Sequence, residues 1–262
     1  MTERPTGDDD QADAFFIGFL PVPGPLRGFL AMVGICGLLA AGALGYVVAA
    51  TQDDPGDGRF RFELGRQALT GVLVEGAYPV LRLTEDSDHL AAGYSLMLSG
   101  IGKNGVLDAT AALIGQHVRV EGVLLTRGAL AMMQVRRDGD GPVIRQTGHA
   151  TPTLPAPRPL GRWRLTGELC DGKCYAGAMR PGRGIAHKAC ANLCVIGGVP
   201  MVFVANAAVD GETHMLVTGP DGGAVPSELL DATAEIVTIE GEIERIGTLL
   251  VLRADAQTLG RP

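Results

Sequence analysis

The chain has 262 residues, with 22 Lys and Arg against 29 Asp and Glu, a net charge of −7 and a pI near 5.2. That balance argues against a nucleic-acid partner, because holding phosphates takes a basic face. A mean hydropathy of +0.20 and 46% hydrophobic residues suit a globular protein that also carries a membrane segment, and 38 glycines point to tight turns and β structure.

Residues 1–27 read as a polar, acidic tail (Asp8-Asp9-Asp10) followed by an interfacial segment, Phe15 to Leu20, and the run Pro21-Val22-Pro23-Gly24-Pro25. Proline cannot continue a helix interior, so this run is expected to lie outside the span. Residues 28–50 form the predicted transmembrane helix. No residue from Gly28 to Ala50 is charged, and these 23 residues match the roughly 20 that cross a bilayer. Gly37, Ala41 and Gly45 share one helix face at four-residue spacing, a small-xxx-small pattern that admits a second helix. The apolar run is longer than a signal-peptide core, so an uncleaved anchor is expected, with cleavage after Ala49-Ala50 as the alternative. Arg4 and Arg27 precede the span; Asp53, Asp54 and Asp57 follow it. The positive-inside rule then places the N-terminus in the cytoplasm of a bacterial inner-membrane protein, with the bulk of the chain periplasmic, where disulfides are allowed.

The remainder reads as two copies of one unit. Leu69-Thr-Gly-Val-Leu73 returns 96 residues later as Leu165-Thr-Gly-Glu-Leu169, while Val118 to Leu124 returns 119 residues later as Val237 to Ile243. The offset grows by 23, so the second copy holds 23 additional residues between Leu169 and His214. Each copy reads as three strands, a short helix (Ala109–Ile114 and Ser227–Ala234, with Ser227 as N-cap) and two more strands. That order predicts a mainly β protein with two tandem OB-like β-barrels, over 58–146 and 161–259. The Pro-rich stretch 147–160 between them is expected to act as a semi-rigid linker.

Four of the five cysteines fall inside the additional stretch. Cys170 and Cys174 form one C-x3-C pair, Cys190 and Cys194 a second, and His187 precedes the second by three residues. Three chemistries suit them. Cys170, Cys174, Cys190 and Cys194 can close two structural disulfides. The four thiols, with His187, can hold zinc, copper or an iron–sulfur cluster, with Met179 and His214 as accessory ligands. Alternatively, they form a thiol–disulfide couple beside Lys173, Arg180, Arg183 and Lys188. Covalent c-type haem is not expected, because no C-x-x-C-H occurs. No acid/base dyad or nucleophile triad is visible, so catalytic residues are not assigned. The leading expectation is an accessory or electron-transfer protein that docks on a redox or respiratory membrane complex; the alternatives are a structural or interaction protein whose four cysteines form two disulfides, and a thiol–disulfide oxidoreductase.

The run Cys174-Tyr175-x-Gly177-x-Met179-x-Pro181-Gly182-x-Gly184-x-x-His187-x-x-Cys190-Ala191-x-x-Cys194-x-x-Gly197-Gly198-x-Pro200 resembles a motif of bacterial single-span membrane proteins. That resemblance implies membrane attachment and no particular activity. In layout alone the chain resembles the membrane-anchored haem chaperone of cytochrome c maturation, which has one span and one OB-type barrel. This chain has two expected barrels and lacks the C-terminal haem-attaching histidine of that protein.

Overall fold

The computed structural model describes residues 22–51, 58–139 and 141–261. The chain divides into two units, Met1–Asp54 and Pro55–Pro262. The acidic tail and the Phe15 to Leu20 segment lie outside the described residues.

The first unit holds helix α1 (Gly24–Thr51), 28 residues or about 42 Å long, enough to cross a membrane as an anchor or a signal sequence. It starts four residues before the expected Gly28. Pro25 sits in its first turn, where the missing N–H would have no partner in any case and the ring fits the helical φ. Pro25 therefore opens the helix rather than excluding it.

The second unit is mainly β. Its first half contains β1 (Arg59–Phe60), β2 (Gln67–Val74), β3 (Val80–Leu83), β4 (Ser95–Ser99), helix α2 (Leu107–Thr110), β5 (His117–Arg127), β6 (Leu130–Val135), β7 (Arg137–Asp138), β8 (Gly141–Pro142) and β9 (Ile144–Gln146). Pairing runs β5–β2–β3–β4–β6, and β6 pairs with β5 again; the β4–β6 contact is parallel. The second half contains β10 (Arg158–Asp171), helix α3 (Lys188–Ile196), β11 (Met201–Val209), β12 (Glu212–Thr218), helix α4 (Ser227–Asp231), β13 (Ile236–Ile246) and β14 (Leu249–Gly260). Here β10–β11–β12–β14–β13 closes into a five-stranded barrel, again with one parallel contact, β12–β14. Ser227 is the first residue of α4 rather than its cap, and its hydroxyl bonds Glu228.

Register carries the repeat into three dimensions. Gly71 lies opposite Val118 and Leu83, and Gly167 lies opposite Val237 and Ala205. The offset between halves is 96 at Gly71/Gly167, 122 at Leu83/Ala205 and 119 at Met97/Leu216. The β10–β11 connection is thus 26 residues longer than β2–β3, and the β11–β12 connection is three shorter than β3–β4. The lengthened connection is the cysteine stretch.

Strand alternation explains how the halves share a core. Leu81 and Leu83 point into the core of the first half, with Leu69, Leu98 and Val118. Val80, Met97, Leu125 and Met132 point the other way and join the core of the second half, around Phe203, Leu216 and Ile239. Hydrogen bonds cross the same seam: Ser95 Oγ donates to Ile246 O (2.6 Å), and Ser95 N–H donates to Thr248 Oγ1 (3.1 Å). The Pro-rich segment therefore joins two halves of one compact unit, and β10 begins within it, at Arg158.

Candidate functional site

Asp171 ends β10, and the chain leaves the barrel there. Cys174–Ala178 makes one wide helical turn, broken at Gly177, and Ile185–His187 makes a tight turn that leads into α3. Cys190 lies in the first turn of α3 and Cys194 one turn later. Four-residue spacing puts both on one helix face. Cys174, Cys194 and Val199 form a small buried cluster of their own, against which Cys190 packs.

The ligating atoms of Cys174, His187 and Cys190 lie within 4.8 Å of one another, and so do those of Asp171, Cys174 and Cys194. Asp171 is fully buried. Its Oδ1 accepts the N–H of Cys174 (2.7 Å), and its Oδ2 lies 3.1 Å from His187 Nε2. One carboxylate thus fixes both the turn that carries Cys174 and the imidazole ring. Cys174 and Cys194 share a hydrogen bond. This bond, together with the ammonium of Lys103, holds the Cys194 thiol down to about 7. The same bond, burial and the neighbouring Asp171 push Cys174 up.

The first half closes the site. Lys103 Nζ donates to Cys190 Sγ (2.7 Å) and Cys190 O (3.3 Å), with Cys194 Sγ at 3.8 Å. In return Lys173, 3% exposed, donates to Gly100 O (2.7 Å) and Gly102 O (2.8 Å) in the loop that carries Lys103. Gly105 N–H donates to Gly197 O (2.7 Å). A Cβ on Gly197 would lie 2.0 Å from Lys103 O, and one on Gly105 would lie 2.1 Å from Gly198 O, so only glycine permits this approach. Gly197-Gly198 therefore serves contact with the other half. Replacing Lys173 with Met leaves two carbonyls without their donor. Stability should fall by about 1–3 kcal/mol, read as a lowered midpoint in a thermal melt.

Several expected residues fall elsewhere. Cys170 is buried but joins the core of the second half, beside Tyr175 and Val202. Adjacent strand residues point to opposite faces, so when Asp171 faces the thiols, Cys170 cannot. Burial, followed by Glu168, pushes its thiol up. Glu168 also accepts the N–H of Gly184, tying down the loop before His187. Met179 is half-exposed, and His214 sits at the start of β12, 3.8 Å from Glu212 and outside the described His/Cys/Asp/Glu groups of converging ligating atoms. All five cysteines are free thiols, so the two expected structural disulfides are not formed. Cys170 is turned away from the other three, which leaves two complete bridges unmakeable here. Of the basic residues thought to surround the cysteines, Lys188 binds Asp231 O (2.8 Å) and Glu235, and Arg180 binds Gly58 O (3.1 Å).

Sequence reasoning missed Asp171 and Lys103. The first was adjacent to Cys170 in the motif, and strand alternation at the end of β10 was the available signal. The second gives no local signal, lying 87 residues before Cys190.

Three thiols, one imidazole and a carboxylate behind it suit a thiophilic ion in tetrahedral or trigonal coordination, with bonds of about 2.3 Å to sulfur and 2.0 Å to nitrogen. A buried Asp–His pair is the usual support for such a ligand, since the carboxylate fixes the ring's tautomer and orientation. No protein-family model, curated protein or solved structure matches the chain.

Proposed function

We propose that the chain is a membrane-anchored accessory or electron-transfer protein whose extramembrane unit binds one thiophilic ion, Zn2+ or Cu+, through Cys174, His187, Cys190 and Cys194. The observation that carries this reading is the placement of Cys174, His187 and Cys190 within 4.8 Å of one another, with buried Asp171 against the imidazole. Asp171 orients His187, and Lys103 balances thiolate charge from the other half.

The scaffold in this reading is a pair of tandem OB-like barrels. Both halves pair their strands in the order first, second, third, fifth, fourth, with the third and fifth parallel and a helix between third and fourth. That order supports the OB reading, in which 26 residues in one connection convert the second copy into a metal module. The charge asymmetry around α1 supports a periplasmic placement. The Gly37/Ala41/Gly45 face supports close approach of a second membrane helix, which in this reading belongs to a redox membrane complex.

Elemental analysis of full-length protein purified in detergent without chelator, together with thiol counting in denaturant, tests the reading. One ion per chain and five titratable thiols support it; metal-free protein that takes up neither Zn2+ nor Cu+ contradicts it. Binding should also strengthen with pH. Cys174, pushed up in the metal-free protein, must lose a proton, so log K rises by at least about one per pH unit. Chelator competition between pH 6 and 8 measures it; a flat profile would count against thiolate ligation.

A further inference from the structure

We propose that the metal-free site reacts with disulfides, with Cys190 as the attacking sulfur and Cys174 as the resolving one. The inference rests on the same cluster as the metal reading, although the reaction itself needs no ion. Cys190 is half-buried while Cys174 and Cys194 are buried, so an incoming disulfide reaches Cys190 first. Its sulfur lies in the first turn of α3, 2.7 Å from the ammonium of Lys103, which places positive potential at the attacking atom. One turn on, α3 exposes Leu193, an apolar approach that suits a protein-borne disulfide as well as a small one.

The choice of resolving cysteine follows from geometry. Cys190 and Cys194 sit four apart on α3, a spacing that sets their Cβ atoms about 5–6 Å apart. A disulfide needs about 3.5–4.5 Å, so a bond within the helix would require breaking it. Cys174 approaches from a separate turn, with its sulfur within 4.8 Å of that of Cys190. The thiolate of Cys190 attacks one sulfur of an external disulfide, forming a mixed disulfide and expelling one thiolate. Cys174, giving up its proton, then attacks Cys190 Sγ and expels the second. The protein loses two electrons and two protons; the external disulfide becomes two thiols. Cys194 stays reduced. Two ligands are consumed, so the oxidised chain would no longer hold an ion.

The test uses full-length Cys36→Ser protein in detergent, stripped with chelator, desalted and treated with oxidised glutathione. Intact mass and peptide mapping should show a Cys174–Cys190 bond. Cys174→Ser should accumulate one glutathione on Cys190, Cys194→Ser should still form the bond, and Cys190→Ser should do neither. Mapping of the otherwise unaltered chain stands alone should a variant misfold. Thiols that stay reduced, or a bond joining Cys190 to Cys194, overturn the proposal. Metal content of the reduced protein is measured in parallel. Bond formation without metal binding leaves this proposal intact and sinks the metal reading; metal binding with inert stripped thiols does the reverse.

Discussion

Asp171→Asn should weaken metal binding about 10–100-fold while leaving the metal-free fold in place. The substitution keeps size and keeps the oxygen that accepts the Cys174 N–H at 2.7 Å, so the turn carrying Cys174 survives. What changes is the contact with His187. A carboxylate 3.1 Å from Nε2 accepts that nitrogen's proton in a hydrogen bond and leaves the other ring nitrogen free for an ion. An amide NH2 in the same place meets a donor with a donor, and the ring must turn or change tautomer. Chelator competition gives the affinity, and circular dichroism of the stripped protein checks the fold. Unchanged affinity would show that His187 is not a ligand supported by Asp171.

Gly197→Ala should cost about 1–3 kcal/mol, because the new methyl would overlap a backbone oxygen that cannot swing aside. The clash is with Lys103 O, 2.0 Å from the Cβ position, so relief comes only by moving the loop that carries Lys103. Gly105→Ala attacks the same contact from the opposite side, 2.1 Å from Gly198 O. The two should be strongly non-additive, since either alone forces the halves apart there. Gly139, with nothing within 4 Å of its Cβ position, is the control, and its Ala variant should melt like the parent. For a unit of this size each kcal/mol moves the midpoint by about 2–4 °C. Equal melting of all three variants would mean that the halves do not interlock through this contact.

Much of the scaffold was legible in the sequence because it is written twice. A constant 119-residue offset fixes β5 against β13 and β6 against β14 to the residue, and apolar alternation does the rest. The net excess of 23 residues also located the insertion. Its division into a gain of 26 and a loss of three was hidden, because the β3 and β11 strands share too little sequence to mark the intermediate offset.

The site was legible only in part. Cysteine spacing identifies the stretch, and the second C-x3-C pair does lie on one helical face. The first pair does not behave alike: Cys170 is a strand residue and Cys174 lies three residues beyond the strand's end, so equal spacing hides opposite directions. Only the register of β10, which decides the face that Asp171 takes, separates them. Lys103 belongs to a loop in the other half, and its position depends on how the two cores merge, which local pattern does not encode.

The most direct test of the account compares metal content across four single variants of the full-length protein: Cys170→Ser, Cys174→Ser, Cys190→Ser and His187→Ala. The structure predicts that Cys170→Ser keeps one ion per chain while the other three lose it under the same chelator challenge. Loss of metal from folded Cys170→Ser, or retention in folded Cys190→Ser and His187→Ala, would contradict the assignment.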